Sequence, residues 1–172
     1  MKKAIENTFA EIEPNKLKDN VFKLIGIDYM LITAGTPTSF NTMTAGWGGF
    51  GFLWGKNVCF CFIRPNRYTY NFVEKSNYFT LSFFDNKYKD VLNFCGSKSG
   101  RDTDKVKETG LSPVKGTAGI YFAEARLVFL CKKIYYQDIN PKGFINKKID
   151  KNYPNKDYHR MYTGEIIKCL VK

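Results

Sequence analysis

The sequence predicts a mainly β fold with helical inserts, an antiparallel barrel or sandwich, on three observations. Segments with period-two alternation or with β-branched and aromatic enrichment outnumber helical ones. The helical segments fall between strands without alternating with them regularly, which argues against a doubly wound sheet. No GxGxxG opens a helix after a strand, and GFGFLWG lacks that spacing, so a dinucleotide-binding turn is not indicated.

The elements follow in chain order. A chain of 172 residues is expected to form one domain over 1–172 with a substantial core. Residues 1–27 read as an N-terminal extension in which Asp19 or Asn20 caps a turn through VFKLIG. DYMLITAGT (28–36) and SFNTMTA (39–45) read as two strands of a hairpin across GTPT. NVCFCFI (57–63) is a third strand, YTYNFVEKS (68–76) a helix, and YFTLSFF (78–84) a fourth strand. KYKDVLNFCG (87–96) is an amphipathic helix stopping at Gly96, and DTDKVKETG (102–110) a short one capped by Asp102 or Thr103 and ended by Gly110. ARLVFLCKKIYYQDI (125–139) is too β-branched and aromatic for a helix and reads as one long strand, with YTGEIIKCLVK (162–172) the last. Between them, residues 140–157 are lysine-rich with two prolines, and read as a loop.

Composition narrows the partners. A formal charge of +11 favours anions: nucleic acid, acidic membrane surfaces or phosphorylated small molecules. No apolar run approaches the roughly 18 residues that would span a bilayer. The first residues, MKKAIENTFAEIEPNK, lack the apolar stretch of a secretory signal, so a cytoplasmic location is expected. The five cysteines include no CxxC pair, and His159 is the sole histidine, so zinc-site spacing is absent. Alternation puts Cys59 and Cys61 on one strand face, where buried, inert thiols are the expectation.

Three separated segments offer donors for an anion. In SFNTMTA, Thr42 and Thr44 share one face; a pair of β-formers on a solvated surface is the bland alternative. In IRPNRYTYNF, Arg64 and Arg67 flank Pro65 where a strand ends, and Thr69 follows in the first helical turn. Guanidinium forks, a hydroxyl and free helix amides together make a phosphate cradle. The nearest acidic neighbours in sequence are Asp28 and Glu74, so local pairing of these arginines looks scarce. CGSKSGRDTDK (95–105) adds two serines and Arg101 without the GxxxxGK[ST] pattern of a nucleotide triphosphatase. None of the segments supplies a nucleophile with a base, and no GxSxG elbow exists to partner His159. Weak side-chain chemistry beside good anion chemistry points to a borrowed cofactor, and no catalytic residue is assigned.

NTMTAGWGGFGFLWG, FIRPNRYTY, YFTLSFF, CGSKSGRDTDK and DYHRMYTGEI, in that order, resemble flavoredoxin-type members of the flavin reductase-like FMN-binding family, over about residues 28–168. That resemblance implies an antiparallel Greek-key split β-barrel, a homodimer, and FMN near the subunit interface. It carries the cofactor site onto Asn41, Thr42, Met43, Thr44, Ala45, Trp47, Arg64, Arg67, Tyr68 and Thr69. Ser97, Ser99, Arg101 and Lys105 are carried over as groups serving either this flavin or the partner subunit's. His159 is a candidate contact for the flavin or an incoming nicotinamide, with a structural histidine as the alternative. Gly46 departs from the serine that relatives often carry, and is not assigned to the site. The resemblance implies a flavin-dependent oxidoreductase, either an NAD(P)H-dependent flavin reductase or an electron carrier reduced by a redox protein.

The crowded glycines at 46, 48, 49 and 51 then read as letting the backbone approach a flat ring, with Trp47 or Trp54 closing the wall and core packing or dimer contact the alternative for Trp54. Three or four charge-assisted hydrogen bonds supply on the order of 5–10 kcal/mol, while association costs about 4–15, so burial of the ring must decide retention. Two competing readings are a basic β-barrel that binds nucleic acid and a cofactor-free interaction module. The first ranks lower because the aromatic-rich strands look like core while the lysines gather in loops and helices.

Overall fold

Segments that alternate in sequence pair into one eight-stranded antiparallel sheet in the computed structural model, which describes residues 9–172. Its strands are β1 (Ala10–Ile12), β2 (Met30–Thr36), β3 (Ser39–Ala45), β4 (Gly48–Leu53), β5 (Lys56–Ile63), β6 (Tyr78–Phe83), β9 (Leu127–Asp138) and β10 (Arg160–Val171). A separate hairpin joins β7 (Pro113–Gly116) to β8 (Gly119–Phe122). The order across the sheet is β3-β2-β6-β9-β10-β5-β4, with β1 on the C-terminal end of β10. Residues 1–8 of the expected N-terminal extension lie outside the described residues.

The sheet curls because one face of each strand is apolar. Met30, Ile32 and Ala34 of β2 share a core with Cys59, Cys61 and Ile63 of β5, although three strands separate β2 from β5 in the sheet order. Phe79, Phe83, Phe129 and Tyr162 fill the middle. β2 is buried on both faces: its outward Leu31 joins a second core under α3 (Lys89–Ser97), α4 (Lys105–Thr109) and the small hairpin. Cys59 and Cys61 are fully buried as expected, and Cys59 Sγ lies 3.4 Å from Cys131 Sγ. Burial pushes the Cys61 and Cys131 thiols up, which keeps them protonated and inert.

Local chemistry sets the helix ends. Asn20 accepts from Lys23 N–H at 3.0 Å and caps α1 (Val21–Lys23), which runs on into a π-turn over Leu24–Asp28. α2 (Tyr68–Lys75) starts at Arg67. The cap of α4 is Asp104, not Asp102 or Thr103, because the Asp104 carboxylate accepts from Lys107 N–H at 3.1 Å. Gly110, at φ +69°, ends that helix in the left-handed region where glycine carries no steric penalty.

The glycine-rich stretch is itself a strand. β4 pairs with β5 from Gly48↔Cys61 to Leu53↔Lys56. A Cβ on Gly46 would strike the Tyr29 ring at 2.4 Å, and one on Gly48 would strike the Phe60 carbonyl at 2.5 Å. These two glycines therefore admit the protein's own neighbours and not a flat ligand. The 140–157 segment is likewise more than a solvated loop, since it forms 3-10 turns at Pro141–Gly143 and Lys147–Asn152 and buries Tyr153.

Candidate functional site

Two adjoining cavities, of about 120 and 160 Å3, share Met43 and Arg67 as walls. They lie where β3 leaves the sheet edge, between the start of α2 and the loop after α3. The first has a polar lining. Asn41, Tyr68 and Thr69 form one side, and Ser97, Ser99, Arg101 and Lys105 the other. The second is walled by Thr44, Ala45, Trp47, Phe62, Arg64 and His159. Fourteen of the fifteen residues expected at the site thus line one cavity or the other; Thr42 lines neither.

Lys105 is the most telling residue of the polar end. Its side chain is buried, and Nζ donates to the carbonyls of Thr42 at 2.8 Å and Cys95 at 2.7 Å. It has no carboxylate partner among the described residues. Burial lowers its pKa; the Cys95 thiol opposes this and the Arg67 guanidinium adds to it. The Arg67 side chain makes no hydrogen bond or ion pair among the described residues. Two cationic groups therefore face one cavity without a counter-charge. Arg101 packs over the Tyr68 ring at 4.9 Å and donates to the Asn66 carbonyl at 3.3 Å. The Ser99 hydroxyl accepts from Arg101 N–H, and the Ser97 hydroxyl donates to the Phe94 carbonyl. Gly100 is required here, because a Cβ would lie 1.9 Å from the Asn41 side-chain oxygen. Asn41 is held by donating to Thr69 Oγ1 at 2.8 Å, which leaves the threonine hydroxyl hydrogen for another acceptor.

Three expected donors are already committed to the protein. Thr42 Oγ1 bonds Thr33 Oγ1 at 2.9 Å and donates to the Ile32 carbonyl, while Thr44 Oγ1 donates to the Leu92 carbonyl at 2.5 Å. Their hydroxyls tie β3 to β2 and α3. Arg64 has the carboxylate partner that its sequence neighbourhood lacks. Its Nη1 reaches both oxygens of Asp157 at 2.9 Å, and its Nη2 donates to the Asn152 carbonyl at 2.8 Å. That ion pair holds the Asp157 carboxyl below its ordinary range and ties the 140–157 segment to Arg64, a wall residue of the aromatic cavity.

The aromatic end is built around His159. Trp47 lies 4.7 Å from the imidazole centroid, Phe62 approaches it edge-on, and the Tyr153 hydroxyl is 3.0 Å from Nδ1. Burial, then Arg64 and Arg67, lower the His159 pKa to about 4 against the opposing pull of Asp157, so the ring is neutral at pH 7. Trp54 does not reach this cavity. It sits at φ 53° in the β4–β5 turn against Tyr135, at 5.8 Å. Sequence reasoning missed Phe62, Asn66, Tyr153, Asp157 and Gly46 as parts of the site. For Phe62 a signal existed, since alternation in NVCFCFI turns it away from the buried cysteines.

Among the described residues no helix is long and apolar enough to cross a membrane. Several solved structures share the fold. Flavoredoxin of Desulfovibrio vulgaris (Miyazaki F) aligns at 24% identity over 84% of this chain and 69% of its own, with a TM-score of 0.66. An FMN-binding domain of a flavin reductases-like enzyme from Shewanella baltica OS155 aligns at 19% identity over 96% and 78%, with a TM-score of 0.69. Flavoredoxin from Methanosarcina acetivorans aligns at 18% over 94% and 76%, with a TM-score of 0.67. The expected split-barrel architecture is thus the observed one. No curated protein matches the chain. The flavin reductase like domain matches residues 25–171, nearly the whole sheet with both cavities, and the chain belongs to that family.

Proposed function

We propose that the chain is a flavin-dependent oxidoreductase that binds FMN across the two cavities, with the phosphate at the Arg67–Lys105 end and the ring against Met43–Trp47, Phe62 and His159. The observation that carries this reading is the buried Lys105 ammonium, partnered only by carbonyls and set beside an unpaired Arg67. Burying a cation without an opposite charge is costly, and an anionic ligand removes that cost. The donor set fits FMN at both ends: cations and a spare Thr69 hydroxyl for a phosphate, then Trp47, Phe62 and a neutral imidazole for a flat amphipathic ring. Arg64 enters as the anchor of the 140–157 segment, and Thr42 and Thr44 as supports of β3.

When bound, the flavin supplies the hydride- or electron-transfer chemistry that no side chain here offers. The protein's own contribution is to grip the phosphate, orient the ring and exclude water with the Tyr153 segment. NAD(P)H or a redox protein is the donor class. A cytoplasmic homodimer completes the proposal, and light scattering at a known concentration tests the dimer.

Titration of the purified protein with FMN, FAD and riboflavin, followed by flavin fluorescence, tests the core of the reading. FMN should bind more tightly than riboflavin, which lacks the phosphate. Equal affinity would remove the phosphate from the Lys105 end, and no binding by any flavin would remove the cofactor altogether. Bleaching of the bound flavin by NADH or NADPH alone would separate a reductase from a carrier.

A further inference from the structure

Behind the wall of the aromatic cavity lies a hydrogen bond that no part of the flavin assignment requires. Tyr153 is 2% exposed, stacks on Phe144 at an interplanar angle of 13°, and carries the Arg64 guanidinium over its ring at 5.1 Å. Its hydroxyl oxygen is approached by the His159 backbone amide, which can only donate, and by one side-chain atom that can accept, His159 Nδ1 at 3.0 Å. Two arrangements satisfy that distance. In one, Nδ1–H donates to the phenol oxygen, which strands the buried phenol hydrogen with no acceptor. In the other, the phenol donates to Nδ1, and the imidazole proton sits on Nε2. Buried donors are almost always paired, so the second arrangement is selected.

The remaining ring nitrogen is not sealed off. Buried side-chain nitrogen and oxygen atoms without a partner among the described residues are confined to Ser82 and Thr163. His159 Nε2 has no partner among the described residues and is not one of these sealed atoms, so it is reachable, and His159 lines the aromatic cavity. The charged groups around the imidazole are Arg64, Arg67 and Asp157, with the first two opposing a second proton.

We propose that Tyr153 is a positioning residue that locks His159 as the Nε2–H tautomer, making the chain's single imidazole a neutral hydrogen-bond donor toward an acceptor atom of the flavin ring. A neutral donor differs from a cation in this place: it orients the ring without adding a third positive charge beside Arg64 and Arg67. It also tells apart ring faces or edges by where an acceptor lies, which a charge alone does not. The inference rests on the FMN reading only for the identity of the acceptor; the tautomer is a property of the protein alone.

Because His159 is the sole histidine, labelling histidine with the heavy nitrogen isotope gives an unambiguous proton–nitrogen correlation spectrum of the flavin-free protein. The expected spectrum at neutral pH has the proton on Nε2 and a hydrogen-bonded Nδ1, with protonation only near pH 4. Tyr153→Phe keeps the stacked ring and removes the donor. It should shift Nδ1 to the position of an unbonded nitrogen and move the titration midpoint upward, toward the ordinary histidine value. A proton on Nδ1 in the wild-type protein overturns the assignment whatever the variant does, including a failure to fold. So does a folded Y153F with unchanged Nδ1 and midpoint. Adding FMN then separates the two readings. Binding with a shifted Nε2–H signal supports both; binding with no shift removes the flavin contact while the cofactor stands. No binding, with the tautomer as described, removes the cofactor while the Tyr153 role stands.

Discussion

The two ends of α2 treat positive charge in opposite ways. At the C-terminal end, Arg160 is closed in on both sides: Nε and Nη2 reach Asp138 at 2.6 and 2.8 Å, and Nη1 reaches Glu74 at 3.1 Å. Tyr162 donates to the other Glu74 oxygen at 2.6 Å, and Lys133 donates to the carbonyls of Val73 and Glu74. At the N-terminal end, Arg67 and Lys105 face a cavity with no carboxylate between them. The first end is a closed network whose charges hold β9, β10 and α2 together. The second leaves its charge open, as a site built for an incoming anion does. Pairing, more than proximity, separates the charge that ties the fold together from the charge left facing a cavity.

The largest expected effect is on stability in acid. The His159 pKa is about 4 in the folded protein against 6.5 when unfolded, so below pH 6.5 the unfolded state binds the proton more readily. Stability should therefore be fully present above pH 6.5 and fall as pH drops toward 4, by on the order of 3 kcal/mol. Urea melts across that window measure it, and His159→Gln should flatten the slope. The carboxylates whose pKa is lowered by Arg160 or Arg64, Asp138 and Asp157, lose their contribution only at lower pH. Next, Glu74→Ala should destabilise the fold by about 2–3 kcal/mol, because Arg160 and Tyr162 each lose a partner. Flavin affinity should stay unchanged, and a parallel loss of FMN binding would erase the contrast between the helix ends.

Lys105→Met should do the reverse. FMN affinity should fall by about 30-fold, roughly 2 kcal/mol, with a melting temperature equal to or above that of the parent protein. A destabilised protein with intact FMN binding would make Lys105 a strut. The smallest effect expected is for Arg67→Ala, a loss of about tenfold in FMN affinity, or ~1.4 kcal/mol, in an exposed position that leaves the melt untouched. Arg64→Ala sharpens the comparison from three residues away: it should loosen the 140–157 segment, measured by hydrogen exchange, more than it weakens phosphate binding.

Most of the sheet was legible because β2, β3, β5, β6, β9 and β10 carry their own alternation or β-rich composition. β4 was not, since the three glycines of GGFGFL weaken its strand preference, and its pairing partner is β5. β1, three residues long, and the β7–β8 hairpin were hidden for the same reason of weak local signal. At the candidate site, the motifs marked segments that the fold brings together around the two cavities, but not what each side chain bonds to. Thr42 and Thr44 looked like free hydroxyls and turned out to be ties within the fold. Arg64 looked unpaired because Asp157 lies 93 residues away.

The amino-acid order by itself determined six of the ten strands and that the Cys59 and Cys61 thiols would be buried, and it marked the separate stretches that carry hydroxyl and cationic groups. Periodicity and residue type are local properties, and burial follows from them once one face is apolar. Only the tertiary structure decided which cation stays unpaired, which glycines answer to Tyr29 and Phe60, and that Tyr153 meets His159. Each of those depends on a partner brought close by chain closure, and a side chain's hydrogen-bonding capacity is shared out only when all competitors for it are in place.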